Sequence, residues 1–551
     1  MFMALINLHT MKYSKPSLFL FFLLTTISCK AQWSAELITT PEKTNYHETS
    51  TYADVMNVIK AVQEQSDLMH LEYMGTSLEG KQIPVVVMAD PMVTSPEQAK
   101  ASGKPVIYIQ GNIHSGEVEG KEILQILMRE ILLGDKQHLL DNQIVLFAPI
   151  YNADSNDKME QGRRPSQEDS PVKVGIRANS QGWDLNRDGI KMEAKETNAL
   201  IQNVITKWDP EVFVDLHTTN GTWHGYSLTW APSYHYAGEK GPYRLTWDDM
   251  LPSITEKVQE KYDVHLGPYG GYSLRQGWPP KAIYTYNHHP RYLVNQMGLR
   301  NKIGILSEAF AHERFYQRMN STYAFVAEIL EYTRENGEEI ARVNDEAERN
   351  AIRNVQEHAG EMKKGVRFNK TPMDETFTLR TYEYIPYKNE EGEDRYVRSG
   401  NIIEVPGVQN YSKFEATVES TLPRGYIIPG ELKGIADHLK KQGAEVKQLE
   451  APVEASGEVF TVTKLERSSR EFEGHYMVRA EGSFAEISRE FEAGDYWVDL
   501  AQPLANLIFY TLEPQSDDGL VTWNFFDDYF EANGIEEGSV EYPVFKYYEL
   551  D

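Results

Sequence analysis

The sequence predicts an α/β fold, a mixed but mostly parallel sheet flanked by helices, followed by a smaller β-rich region. Three observations carry this expectation. Apolar runs of strand length alternate with stretches of helical periodicity up to about residue 350. From about residue 360 aromatic and β-branched runs broken by turn residues take over. The chain has 551 residues, more than one ordinary domain holds.

Each element rests on its own pattern. Residues 52–63 put Val55, Val58, Ile59 and Val62 on one stripe and predict a helix. Residues 71–74 and 83–88 flank Gly75-Thr76-Ser77-Leu78-Glu79-Gly80 and read as strand, turn, strand. Residues 105–110 predict a buried strand ending at Gly111, and 118–133 a helix striped by Ile123, Leu127 and Ile131. Strands are expected at 143–150, 212–216 and 302–306, with helices at 194–208 and 253–262 between them. A long, increasingly charged helix follows from Ser321 to about Arg353. Beyond it, strands are expected at 377–386, 396–405, 411–418, 426–429, 459–465, 476–480 and 496–499, with a helix at 432–442. The expected division is a catalytic domain over 45–350 and a β-rich domain of unassigned role over 360–551.

Composition narrows the function. Hydrophobic residues make up 41% of the chain, enough to build a core and to exclude general disorder. The formal net charge is −27, from 82 acidic and 55 basic residues, which leaves no basic face for nucleic acid. Cys29 is the only cysteine, so neither an intrachain disulfide nor a cysteine-based zinc site can form. A basic n-region from Met11 to Lys15 precedes the apolar run 18–24, which is too short to span a bilayer and reads as a signal peptide over residues 1–31. Residues 1–10 read as a start-site artefact upstream of it. Ile27-Ser28-Cys29 resembles a lipobox with Thr26 in the place usually held by leucine, and cleavage after Ala31 is the alternative. The expected location is therefore exported: periplasmic, lipid-anchored at Cys29 on the outer membrane or cell surface, or secreted. The oligomeric state is not legible.

Five pieces carry chemistry. His114 and Glu117, in Gly111-Asn112-Ile113-His114-Ser115-Gly116-Glu117, follow a strand and are separated by two residues; zinc accepts both ligand types. His217 ends the strand Val214-Asp215-Leu216 and supplies a third ligand, leaving a fourth position for water; His224 lies nearby in a Gly-rich loop and ranks lower. In Trp183-Asp184-Leu185-Asn186-Arg187, Asn186 and Arg187 can bind a carboxylate, and Asp184 can orient a ligating imidazole. Glu308, at the mouth of the apolar strand 303–306, suits a general base acting on an acidified water. Arg177 can polarise a carbonyl on which negative charge develops, with Arg163 and Arg164 as rivals.

Taken in order, these pieces resemble the zinc carboxypeptidase family (M14, carboxypeptidase A-like metallopeptidases). The resemblance covers residues 45–345 and includes Tyr52 and Gly75 to Gly80. It implies one zinc ion per chain on His114, Glu117 and His217, Glu308 as base, Arg177 as oxyanion stabiliser, and Asn186 and Arg187 gripping the free carboxylate of a peptide substrate. Asp184 would stand behind His114. The family's mobile substrate-covering tyrosine has two candidates, Tyr286, 22 residues before Glu308, and Tyr292. Asp188 departs from the usual asparagine after this motif. The block from Ser516 to Phe526 resembles the appended domain of long bacterial members. Three other readings stay open: an acylamino-acid deacylase similar to aspartoacylase, a murein-peptide carboxypeptidase, and a non-catalytic envelope-binding protein.

Overall fold

The computed structural model describes residues 33–168, 171–219, 221–535 and 538–550. The expected signal peptide over residues 1–31, with Cys29, lies outside the described residues. Residues Glu36–Asp551 form one compact unit. No helix among the described residues is long and apolar enough to cross a membrane.

Eight strands make the large sheet. In chain order they are β1 (Met69–Thr76), β2 (Gln82–Met88), β3 (Val106–Gly111), β4 (Ile144–Ala148), β5 (Val212–Thr218), β6 (Leu228–Pro232), β7 (Leu266–Pro268) and β8 (Ile303–Ala309). Their spatial order is β1-β2-β4-β3-β5-β8-β6-β7. The central run β4-β3-β5-β8 is parallel, and β2 and β6 close it antiparallel on either side. This is the mixed, mostly parallel sheet that the sequence predicts. Every residue of β3 and β5 is buried, as expected for parallel strands covered on both faces. In β8, Glu308 is the one residue not fully buried.

Helix Glu119–Leu133 follows β3 and packs across β3 and β5. Two glycines permit the approach. A Cβ on Gly111 would lie 2.7 Å from the Gly120 carbonyl carbon, and one on Gly120 would lie 2.7 Å from the Leu216 Cβ. Helix, strand and the intervening loop are thereby held together where His114 and Glu117 lie. The helix buries charge, and the charge is paired: Glu122 accepts hydrogen bonds from Thr49 and Ser50, and Arg318 donates to Glu119.

The long helix is longer than its sequence pattern, spanning Phe315–His358 with a break at Asn336. Its first half packs on helices Glu119–Leu133 and Leu251–Tyr262, while Ala351 and Val355 enter the core of a second, seven-stranded sheet. That sheet includes Gly425–Ile428, the long antiparallel pair Val453–Arg467 and Val478–Phe491, Tyr496–Asp499 and Phe545–Leu550. A hairpin of Thr376–Lys388 and Asp394–Tyr411 adds onto the short strand Ala282–Tyr284. The β-rich C-terminal region is thus present, and its sheets are interleaved with the segment between β7 and β8.

The expected strand at 411–418 is split at Ser412, ending one strand at Tyr411 and starting Lys413–Thr421. Among the elements that the sequence did not predict, three show why. β6 has five buried residues without alternation and ends in Pro232. Helix Ala505–Leu512 is buried at every position, so it shows no stripe. Helix Leu293–Leu299 is only seven residues long.

Candidate active site

The site lies at the carboxyl ends of the parallel strands, where open α/β sheets bind ligands. His114 and Glu117 sit on the turn leaving β3, closed by a Glu117 N–H to His114 carbonyl bond of 2.8 Å. His217 is the sixth residue of β5, and Glu308 is its direct partner on β8, so the two side chains leave the same face of the sheet. The Asp184 side chain caps the short turn Leu185–Arg187 by accepting the Asn186 N–H at 2.9 Å.

Three ligand-type groups converge. His114 Nδ1 lies 3.1 Å from Glu117 Oε1, His217 Nδ1 lies 3.0 Å from Glu117 Oε2, and the two Nδ1 atoms are 3.2 Å apart. Each residue is 3% exposed. The far side of each ring is taken by a carboxylate. His114 Nε2 is 2.9 Å from Asp184 Oδ1, and His217 Nε2 is 2.9 Å from Asp215 Oδ2. With both ring protons on Nε2, facing these carboxylates, the two Nδ1 lone pairs would be aimed at the Glu117 carboxylate. Three facing lone pairs repel unless a cation lies among them. A tetrahedral zinc with bonds of about 2.0–2.1 Å sets its ligand atoms roughly 3.3 Å apart, close to the separations seen here. The donor set therefore fits zinc.

Electrostatics agree with a cation-ready centre. Burial by itself would raise the Glu117 carboxyl, but His114 and Arg164 hold it well below the usual range. Asp184 is likewise held well down, against burial, by His114, Arg187 and Arg177. Burial pushes Glu308 up to about 7, opposed by His217.

Nine of the ten residues singled out from the sequence line one cavity of about 170 Å³: His114, Glu117, Arg177, Asn186, Arg187, His217, Tyr286, Tyr292 and Glu308. The tenth, Asp184, stands behind His114. Arg177 donates through Nε and Nη2 to Asp184 Oδ2 at 3.0 and 2.8 Å, and its Nη1 reaches Glu117 at 3.3 Å. Asn186 Oδ1 accepts the Leu293 N–H at 3.2 Å, and its Nδ2 lies 3.4 Å from His217 Nε2. Arg187 lies 4.5 Å from the Tyr292 ring centroid. Tyr286 packs edge-on against Tyr292, its hydroxyl donating to Asn295 Oδ1 at 3.3 Å.

The remaining candidates separate cleanly. His224 stays outside the cavity, accepting the Tyr226 N–H and packing on Phe310. Arg163 pairs with Glu160. Arg164 has a different task from the one considered for it: Nη1 donates to Glu117 Oε1 at 2.7 Å and Nη2 to the Thr218 carbonyl at 2.7 Å, tying the β3 loop to β5. Sequence reasoning passed over Asp215 as the partner of His217. The signal was present, since residues two apart in a strand share a face.

His288, His289 and Asp517 form a second grouping of ligand-type side chains. Its chemistry is that of a structural hub. Asp517 already accepts from His288 Nε2 at 3.1 Å, from the Phe368 N–H at 3.0 Å and from the Tyr510 hydroxyl, while Arg291 and Lys370 stand close to His289. A second dication would meet spent lone pairs and neighbouring cations.

Two imidazoles and a carboxylate converge on one point and could hold a metal ion, with a further carboxylate and two guanidiniums in the same cavity. Residues 55–264 match the peptidase M14 family, zinc carboxypeptidase, a span that contains His114, Glu117, Arg177, Asp184, Asn186, Arg187 and His217. Residues 55–264 thus carry the features of a zinc carboxypeptidase domain of this family. It is 21% identical to "Carboxypeptidase 2" of Trichophyton rubrum over 85% of this chain and 81% of that protein. It is 27% identical to "Carboxypeptidase D" of Mus musculus over 22% of this chain and 10% of that protein. Among solved structures, a metallo-carboxypeptidase from Burkholderia cenocepacia superposes with a TM-score of 0.38 at 16% identity, covering 52% of this chain and 70% of that one.

Proposed function

We propose that this protein is a zinc carboxypeptidase that releases the last residue from peptides with a free terminal carboxylate. The observation that carries the reading is the convergence of His114, Glu117 and His217 on one point, in a cavity that also holds Arg187, Asn186 and Glu308. His114 Nδ1, His217 Nδ1 and the Glu117 carboxylate would hold one zinc ion. When bound, the ion supplies acidification of a water and polarisation of a carbonyl.

The chain's own residues supply the rest. Arg187 and the Asn186 amide face the substrate carboxylate and fix which peptide bond is presented. Glu308, raised towards neutrality, takes a proton from water and passes it to the leaving amine. Arg177, anchored by Asp184, faces the negative charge that grows on the scissile carbonyl oxygen. Tyr286 and Tyr292 form the wall over Arg187 and exclude solvent. We also propose export directed by a signal peptide within residues 1–31, ending in lipidation at Cys29 or in cleavage after Ala31.

The test measures zinc per chain and hydrolysis of blocked peptides, with and without chelator. About one zinc and chelator-sensitive release of the terminal residue supports the reading. Zinc without peptide turnover, but with turnover of acylamino acids or of murein peptides, replaces it by those substrate classes. Folded protein without zinc sinks it. Two outcomes are expected within the same assay. Arg187→Ala should lower kcat/KM by about 10–100-fold, because a charge-assisted bond contributes about 1.5–3 kcal/mol, with zinc content unchanged. Peptides ending in an aromatic or aliphatic residue should be cleaved faster than those ending in a charged one, because Tyr269, Val294 and Leu306 complete the cavity wall.

A further inference from the structure

We infer that the C-terminal β-rich region is a working part of the active site, and that Glu473 and Asp518 are its positioning residues; the inference rests on the function proposed above. Two independent sets of contacts carry it.

Glu473 lies in the loop between Val453–Arg467 and Val478–Phe491 and reaches the metal side of the site. Its Oε2 accepts the Asp184 N–H at 2.8 Å. Asp184 is the carboxylate that orients His114 and anchors Arg177. Glu473 takes a φ of 51°, a left-handed conformation unusual for a residue with a side chain, so the loop is held in shape by its surroundings. His475 does part of this, with Nε2 3.0 Å from Glu193 Oε2 and Nδ1 3.1 Å from Asn524 Oδ1.

Asp518 reaches the substrate side. It is fully buried, accepting the Arg291 N–H at 2.8 Å through Oδ2, and Arg291 Nε at 2.8 Å and Trp523 Nε1 at 3.0 Å through Oδ1. The clamped segment continues into the cavity. Tyr292 covers Arg187, and the Leu293 N–H fixes Asn186. On the other side, the Arg291 carbonyl accepts the Gly189 N–H at 3.0 Å, two residues after Arg187. Both groups that face the substrate carboxylate therefore hang on a segment whose place is set by Asp518. The contact is charge-assisted and directional, so it fixes position and not merely proximity.

The experiment uses the full chain. Asp518→Asn keeps the side-chain shape and removes the charge. KM for a blocked dipeptide with a free carboxylate should rise about tenfold, with kcat changed less than threefold and zinc affinity unchanged. Trp523→Phe, which removes one donor to Asp518 and keeps an aromatic ring beneath Arg291, should show the same split at smaller size, and it serves if the aspartate variant does not fold. Glu473→Ala should weaken zinc, measured by chelator competition, by roughly three- to tenfold, below the 10–100-fold typical of groups that touch a ligand directly. Glu473→Gln still offers an oxygen to the Asp184 N–H and should restore the affinity. An unchanged KM in both the Asp518→Asn and Trp523→Phe variants, or an unchanged zinc affinity in Glu473→Ala, overturns the inference. So does a loss that merely follows the fraction of unfolded protein and is not rescued by glutamine. A wild-type chain without peptidase activity would instead sink the proposed function, while the zinc measurement would still decide the role of Glu473.

Discussion

Glu308→Gln is expected to lower kcat by about 10²–10⁴-fold while the chain keeps one zinc. The amide has the size of the carboxylate and cannot accept the proton. Glu308 is also outside the converging set: His114, Glu117 and His217 meet one another, and Glu308 stands beside His217 on the neighbouring strand β8. Zinc content and turnover should therefore separate in this variant. A variant that stays active removes Glu308 from the base role, and a variant that loses zinc makes it a ligand. KM should move little, because Arg187 and Asn186 keep their places through Tyr292 and Leu293.

His217→Ala is expected to give the opposite pattern, with zinc and turnover lost together. Two of three converging donors remain, His114 and Glu117, and catalytic zinc sites use three protein ligands. The change also strips Asp215, fully buried, of its imidazole partner and leaves it with the Gln110 amide at 3.1 Å. That should lower stability by about 1–3 kcal/mol, read as a fall in the denaturant midpoint. Excess zinc should raise the unfolding temperature of the wild type and leave this variant unmoved, because a ligand stabilises only the state that binds it. Full zinc occupancy in His217→Ala would sink the ligand assignment.

The residues of the site were legible where chemistry follows directly on a strand. His217 and Glu308 end apolar runs, and His114 and Glu117 fall three apart just past another. Each such residue is expensive to place there without a purpose, which makes it visible in a single sequence. Asp184, Asn186 and Arg187 were legible as a compact motif, and Arg177 by its distance from it. The supports were harder to read. Arg164 was noticed, but its bond to Glu117 needed the path of the loop 157–175, which carries little periodicity. Glu473 and Asp518 could not be read at all as supports, since they meet their partners across 289 and 227 positions, and no local pattern encodes such a meeting. The central sheet was legible because parallel strands read as unbroken apolar runs. β6 and helix Ala505–Leu512 were not, because an element buried on every side loses the polar residues that mark its period.

The pairing of late strands with the segment between β7 and β8 bears on how the molecule is made. A ribosome delivers His114 and Glu117 early, yet the acid that clamps Arg291 lies 227 positions after it. Strand Ala282–Tyr284 likewise waits for residues 409–411 before its parallel pairing can form. The proposed zinc ligands can thus be synthesised, and even approach one another, well before the segment that steadies Asn186 and Tyr292 exists. Competence to cleave would then arrive as a late event in folding, set by the chain's own order of synthesis, and a growing polypeptide would carry its ligand residues for most of its length without a finished grip for the terminus of another.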